Sequence, residues 1–369
     1  MRVPAFDSSA TEDCVDRARA LVLRHGRQAT SFQITNPGIA FSFAPDGSAV
    51  AGWVDAPGFK VIAGAPVCEV DRTQAEIQRL IGESMDAGKK LCLFAAERWV
   101  LNHLPASMAT SPVLLGAQPS WSPRSWESRF ERRASLRGQL NRARNKSVAI
   151  AEWPVGRAQG NPELILCLEH WLATRGLPAM HFLVEPDTLD RLEGRRVFVA
   201  RREGEIIGFL VISPIPMRHG WLVEQIVRGK GAVNGTSELM LDAAVRTLDK
   251  EGSDYVTLGL SALSQHAGLD YSMNPGWLRF VFAWVRAHGL RFYNFEGLDA
   301  FKAKFQPDIW EPVYAITNER RFSMTALYAI SSAFSNGSPI PLVARALGRA
   351  VRTEYRWFVN WMLGRNRQS

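Results

Sequence analysis

Three turn signals, Asn36-Pro37-Gly38, Pro45-Asp46-Gly47 and Ala56-Pro57-Gly58, cut residues 31–67 into four short apolar runs. The runs SFQIT (31–35), IAFSFA (39–44), SAVAGWVD (48–55) and FKVIAGAPV (59–67) predict the strands of an antiparallel meander. A helix is predicted ahead of it over 12–26, ending at Gly26, and another behind it over 72–88, ending at Gly88. KKLCLFAA (89–96) then reads as a buried strand. Meander, helix and strand in that order make a mixed α/β unit.

The plan recurs. Residues 161–176 predict a helix with Pro162 in its first turn, and 195–215 a hairpin turning at Glu203-Gly204. A strand (221–229), a helix (236–252), a strand (253–263) and a helix (276–290) follow, and LRFYNF, GLDAFKAKF and VYAIT close the unit as strand, short helix and strand. No sequence period accompanies the repetition, so duplication is read from the order of elements alone. At roughly 150 residues per domain the 369-residue chain holds about two. The expected division is 1–150 and 151–317, with the break near 147–162 and a basic amphipathic helical extension over 318–369. The longest apolar-looking stretch, Ile206 to Met217, carries Gly, Ser and Pro and falls short of the ~20 residues of a membrane span. The start of the chain carries acids where a signal peptide has its apolar core, which predicts a cytoplasmic protein. Cys14, Cys68, Cys92 and Cys167 are scattered and read as buried thiols.

The net charge of +8 is concentrated. Arg124 to Lys146 holds eight bases against two acids, and Pro341 to Ser369 holds six arginines against one glutamate, so everything else is net acidic. These two segments are the candidate contacts for polyanions. The first reads as a helix with Phe130, Leu136 and Leu140 on its apolar side; the plain alternative is a solvated helix face. Its excess of Arg over Lys suits phosphate oxygens and an RNA backbone, with Arg133, Arg137, Arg142 and Arg144 as candidates. In the second, Arg345, Arg349, Arg352 and Arg356 form one stripe of a helix flanked by Trp357 and Trp361. Such a helix suits an anionic membrane surface, the alternative being a terminal helix packed on its own domain.

Two stretches carry candidate chemistry. In residues 223–244 a strand enters a Gly-rich turn and a helix opens near Asn234-Gly235-Thr236, where free backbone N–H groups can hold an anion. A plain capped turn explains the same residues. Glu238 falls in the first turn, where it complements the helix dipole. In residues 292–316, Phe301 and Phe305 share one helical face, and Lys302 and Lys304 cannot both follow it. A lysine beside Tyr293, Asn294 and Trp310 can steady an oxyanion or a phosphate, and a solvated lysine is the plain alternative. The seven histidines form no metal-ligand pattern, and no GxSxG elbow is present. No metal and no cofactor are expected.

VNGTSELMLDAAVRTLDKEGSDYVTLGLSALS, followed by GLRFYNFEGLDAFKAKFQPDIWEPVYAI, resembles the C-terminal catalytic part of bacterial lysyl-phosphatidylglycerol synthases, the multiple peptide resistance factors, and their stand-alone DUF2156 relatives. The likeness spans about residues 15–317. It implies tandem GNAT-like acyltransferase domains and transfer of an aminoacyl group from aminoacyl-tRNA to a lipid hydroxyl, usually of phosphatidylglycerol. The partners implied are aminoacyl-tRNA and an anionic lipid surface, met peripherally from the inner face of the membrane. An aminoacyl ester is already activated, so this chemistry asks for positioning and oxyanion stabilisation rather than a covalent intermediate. The roles that follow place Lys304, Lys302 and Tyr293 at the developing charge. Asn234, Gly235 and Thr236 hold a phosphate or the donor's 3′ end, and Glu224 and Glu238 meet the α-ammonium or move a proton. Asn294 and Trp310 complete the substrate site. The alternatives are a CoA-dependent N-acyltransferase, because Arg228–Val233 partly matches the GNAT pyrophosphate loop, and an aminoacyl transferase acting on a soluble metabolite.

Overall fold

The computed structural model describes residues 8–174, 180–266, 270–288 and 295–335. The first half runs α1 (Ser8–His25), β1 (Ala40–Phe43), β2 (Val50–Ala56), β3 (Phe59–Ala63), α2 (Thr73–Asp86), β4 (Lys90–Glu97) and β5 (Ser111–Trp121). Two basic helices, α3 (Trp126–Arg132) and α4 (Ala134–Asn145), connect it to the second. That half runs β6 (Ala149–Trp153), α5 (Val155–Ala158), α6 (Pro162–Ala173), β7 (Arg196–Arg202), β8 (Glu205–Ile215), β9 (Gly220–Arg228), α7 (Thr236–Lys250), β10 (Tyr255–Thr257) and β11 (Ser261–Ala262). Helices α8 (Gly276–His288) and α9 (Phe295–Ala303), strand β12 (Ile309–Thr317) and helix α10 (Met324–Ser335) complete the described chain.

Each half contains an antiparallel run that ends in a parallel neighbour reached through a helix: β3-α2-β4 is such a pair, and so is β9-α7-β10. The two halves do not stop at their own borders. Among the described residues the strands form one sheet in the order β1-β2-β3-β4-β12-β5-β10-β9-β8-β7-β6, with β11 also on β5. The last strand of the first half, β5, therefore lies against β10 of the second, and the last strand of the second, β12, lies against β4 of the first. A strand exchanged in each direction leaves no free edge between the halves, and backbone hydrogen bonds cross the seam continuously.

Buried and half-buried polar groups occupy that seam. Glu311 of β12 stands opposite Gln118 of β5 and accepts from its amide at 3.0 Å. The Tyr255 hydroxyl donates to the same carboxylate at 2.5 Å, and Arg218 grips it with both guanidinium nitrogens while lying 4.0 Å over the Tyr255 ring. Glu97, at the end of β4, accepts from Gln118 and from the backbone of Ala29, each at 3.0 Å. Burial pushes Glu97 above the usual carboxylate range; at Glu311 burial acts the same way but the Arg218 hydrogen bonds prevail and lower it. A fully partnered network of this kind adds to the register of exchanged strands, because a slip by one residue would leave its buried polar groups without partners.

Several local expectations change. SFQIT is a 3-10 turn, Phe32–Thr35, not a strand. The basic segment is two helices, because Arg133 takes an extended conformation between them. Strand β5 carries no sequence signal that stood out, since Pro112, Gly116 and Pro119 interrupt its apolar run. Gly116 is required there: a Cβ would lie 2.2 Å from the Ser261 carbonyl oxygen of β11. Within the expected extension over 318–369, α10 has no charged residue, and Ala326, Ala329, Ile330 and Ala333 are buried in the core of the first half. Residues 336–369, with Arg345, Arg349, Arg352, Arg356, Trp357 and Trp361, lie outside the described residues. Cys68, Cys92 and Cys167 are buried thiols, each raised by burial.

Candidate active site

The two parallel pairs differ in one respect that locates the site. In the first half, β3 and β4 stay in register from Phe59 with Lys90 to Ala63 with Phe94, and Gly64 still donates to the Phe94 carbonyl at 2.6 Å. In the second half, β9 and β10 pair only from Gly220 with Tyr255 to Leu222 with Thr257. Beyond Leu222, β9 pairs with β8 alone, and the chain after Thr257 turns away through Gly259 to join β5 as β11. The first pair is closed and the second opens as a wedge. On its β9 side the strand bulges: Val223 and Gln225 face Ile212 and Val211, leaving Glu224 as the extra residue.

The end of α9 and the residue after it carry two lysines that point in different directions, and one of them braces this wedge. Lys302 is 4% exposed, and its Nζ donates to the carbonyls of Gly259 and Leu260, both at 2.9 Å. Burial lowers its pKa to about 7, with Asp299 opposing. Lys304, just past the helix, reaches across to the first turn of α7, where it pairs with the Glu238 carboxylate and donates to the Gln139 side-chain oxygen of α4 at 3.2 Å. Its ammonium also lies 4.6 Å from the Phe301 ring centre and 5.5 Å from that of Phe305. Thus Lys302 fixes the diverging strand, and Lys304 joins α4, α7 and α9 at one point.

The start of α7 owes its position to close helix packing. Gly235 has φ +96°, and a Cβ there would come within 2.1 Å of the Gln139 carbonyl oxygen. It therefore acts through the backbone it lets α4 approach. Thr236 is buried and its hydroxyl donates to Val233 at 2.7 Å, while Asn234 is exposed. Gly235→Ala is expected to destabilise the protein by about 3 kcal/mol, combining a left-handed backbone with overpacking. Urea midpoints check this, and an unchanged midpoint rules out the close approach.

Other expected site residues are elsewhere. Glu224 is buried and paired with Arg195 at 2.9 Å, and Arg195 also donates to Asn36 at 2.7 Å, so this carboxylate braces the bulge. Trp310 stacks on His266 at 4.5 Å, and His266 Nε2 is 3.1 Å from Asp299, whose other oxygen accepts from Ser261 at 2.7 Å. Tyr293 and Asn294 lie outside the described residues. On the basic helices, Arg137 donates to the Phe130 carbonyl at 2.8 Å and to that of Glu131, capping α3. Arg144 pairs at 3.1 Å with the buried Asp242, and Arg133 faces the Gln306 amide. Arg142 is exposed without a partner among the described residues, as are Arg132, Lys146, Arg228 and Lys230. Sequence reasoning missed Gln139, a neutral side chain in a basic run with no spacing that marks it, and also the Ser261–Asp299–His266 cluster, whose members meet only through the turn of β10 into β11. Among the described residues no group of side chains is arranged to hold a metal, and no helix is long and apolar enough to cross a membrane.

Two GNAT-like halves share strands, the parallel pair of one closed and that of the other open. Solved structures agree on the fold. The C-terminal DUF2156 domain of a protein assigned as a lysylphosphatidylglycerol synthetase from Agrobacterium fabrum is 21% identical with a TM-score of 0.74, over 88% of this chain and 98% of that one. L-PGS from Bacillus licheniformis is 19% identical with a TM-score of 0.69, over 86% and 95%. FemX is 9% identical with a TM-score of 0.53, over 86% and 98%. No curated protein matches the chain. Residues 19–317 match the family described as phosphatidylglycerol lysyltransferase, C-terminal, and the chain belongs to that family of aminoacyltransferases.

Proposed function

We propose that this chain moves an amino acid from aminoacyl-tRNA to a hydroxyl of a lipid, with phosphatidylglycerol as acceptor. The observation that carries the reading is the meeting of Lys304, Glu238 and Gln139, where the chain after α9 and the first turn of α7 come against the basic helix α4. The donor ester is activated, so the acceptor hydroxyl need only be positioned and deprotonated as it attacks the carbonyl carbon. Lys304 stabilises the tetrahedral oxyanion, and Glu238, in the first turn of α7, receives the acceptor proton or holds the donor's α-ammonium. The ester C–O bond then breaks, and the tRNA 3′ oxygen leaves with the proton given up by the acceptor hydroxyl. Lys302 is a positioning residue for the wedge, as is Glu224 for the bulge. Family membership supports a lipid acceptor, and the solvent-facing bases of α4 and of the turn before α7 support the tRNA. Against a CoA-dependent reaction stands α4, which covers Gly235 at the end of the loop that would hold a pyrophosphate.

Incubation with total charged tRNA and phosphatidylglycerol vesicles is expected to yield an aminoacylated lipid by mass spectrometry. Stabilisation by acetyl-CoA with no such product overturns the reading in favour of N-acyl transfer. For the tRNA surface, Arg142→Ala is expected to weaken tRNA binding and to reduce the slope of log K against log salt by about 1. An unchanged slope removes Arg142 from the phosphate contacts.

A further inference from the structure

Helix α8, GWLRFVFAWVRAH, has an inner and an outer face. Its inner face belongs to the core: Leu278 is fully buried, Trp277 stacks on Phe322 with centroids 6.4 Å apart, and Phe282 packs edge-on against Tyr271. On its outer face Phe280 is 72% exposed and Trp284 40%, one turn apart, and Met273 just ahead of the helix is 68% exposed. Two large aromatic residues exposed one turn apart on a single helix, with an exposed methionine in the turn that leads into it, stand out from scattered surface apolar residues. The only full charges along α8 are Arg279 and Arg286; it contains no acid.

The place of α8 ties it to the site. Arg286 donates to the Leu263 carbonyl at 3.3 Å, just past β11, and Leu260 packs into the same core as Trp277 and Phe282. Leu258, two residues earlier, packs instead with α4 and α7. The diverging segment braced by Lys302 thus has the basic helix α4 on one flank and α8 on the other.

We propose that the outer face of α8, with Met273, is the surface by which this chain rests on an anionic lipid bilayer. The inference builds on the reading of a lipid acceptor and says where the bilayer meets the protein. Phe280, Trp284 and Met273 enter the boundary between headgroups and acyl chains, and Arg279 stays at the level of the phosphates. A bilayer so placed presents headgroups next to Gly259–Leu263, while tRNA on α4 approaches from the other flank, so the two polyanions do not compete for one surface.

The test uses the full chain and vesicle co-sedimentation, with phosphatidylglycerol–phosphatidylcholine vesicles and phosphatidylcholine vesicles as the two probes. Wild type is expected to bind the anionic vesicles in preference, and Phe280→Glu/Trp284→Glu to bind them about tenfold or more weakly. Met273→Glu, at a site outside the helix, supplies a second variant should the double variant fold poorly. Transfer to detergent-dispersed phosphatidylglycerol stays intact in these variants, because no bilayer is needed. Anionic vesicle binding unchanged by all of these substitutions overturns the proposal, including the case in which it falls on Arg349→Glu/Arg352→Glu, which assigns the bilayer to the C-terminal segment. Vesicle binding that weakens as expected in a protein that aminoacylates no lipid leaves this surface standing and overturns the acceptor.

Discussion

Lys304→Ala is expected to lower the turnover number by about 10²–10³-fold, the loss that follows removal of one oxyanion donor. Stability is expected to change far less. The Lys304 side chain keeps 24% of its exposure, and Glu238, its partner, sits in the first turn of α7, where the helix N-terminus compensates a negative charge once the lysine is gone. The remaining contacts of α4 with α7 and α9 do not depend on the ammonium: Leu136, Leu140 and Ala143 pack with Leu239, Met240 and Phe305 in one buried cluster. A purely structural lysine at this point gives the opposite pattern, a lowered melting temperature with turnover preserved. Steady-state transfer from aminoacyl-tRNA to phosphatidylglycerol, beside a thermal melt, separates the two. Lys304→Arg is informative because the broader guanidinium cannot reproduce a contact shared between Glu238 and Gln139, so only a minor part of the rate returns. Turnover unchanged in Lys304→Ala removes the residue from the chemistry.

Helices and most strands were legible because turn residues and apolar periodicity are local: α1, α2, α6, α7 and α8 fall where the pattern puts them, and the hairpin of β7 and β8 turns at Glu203 and Gly204, both with positive φ. The exchange of β5 and β12 between the halves was not legible. The polar contacts across the seam join Glu311, Gln118, Glu97, Arg218 and Tyr255, residues far apart in sequence whose pairing leaves no local trace. At the site, Glu238 and Lys304 were named from motif and resemblance, yet their contact requires α7 and α9 to converge over the wedge. Glu224 was named by the same reasoning and turns out to serve Arg195, because a bulge moves one residue off the alternation that a sequence reading assumes. Spacing separated Lys302 from Lys304 but could not say which one is buried. That depends on where the carbonyls of Gly259 and Leu260 come to lie.

Lys302→Met is expected to remove a distinctive pH dependence of stability. In the folded protein burial lowers the pKa of Lys302 from 10.5 to about 7, whereas in the unfolded chain it returns to the ordinary value. Between these limits the unfolded state binds the extra proton, so the contribution of Lys302 to stability rises as pH climbs from about 7 to about 10.5, and is flat on either side. Over the whole window it amounts to about 5 kcal/mol, because each pKa unit corresponds to ~1.4 kcal/mol. The neutral amine suits its surroundings: two N–H groups meet two carbonyl oxygens, those of Gly259 and Leu260, and no charge is left in an apolar setting. Methionine is uncharged at every pH and lacks this slope. Denaturant-derived stabilities of both proteins at several pH values between about 7 and about 10 should therefore diverge, wild type gaining on the variant as pH rises. Parallel curves refute the linkage. The variant also leaves two carbonyls of the diverging strand without their donor, so the wedge relaxes, and turnover should fall at all pH values while tRNA binding on α4 is untouched. Replacing a lysine that served only as a surface charge changes neither the pH slope of stability nor turnover.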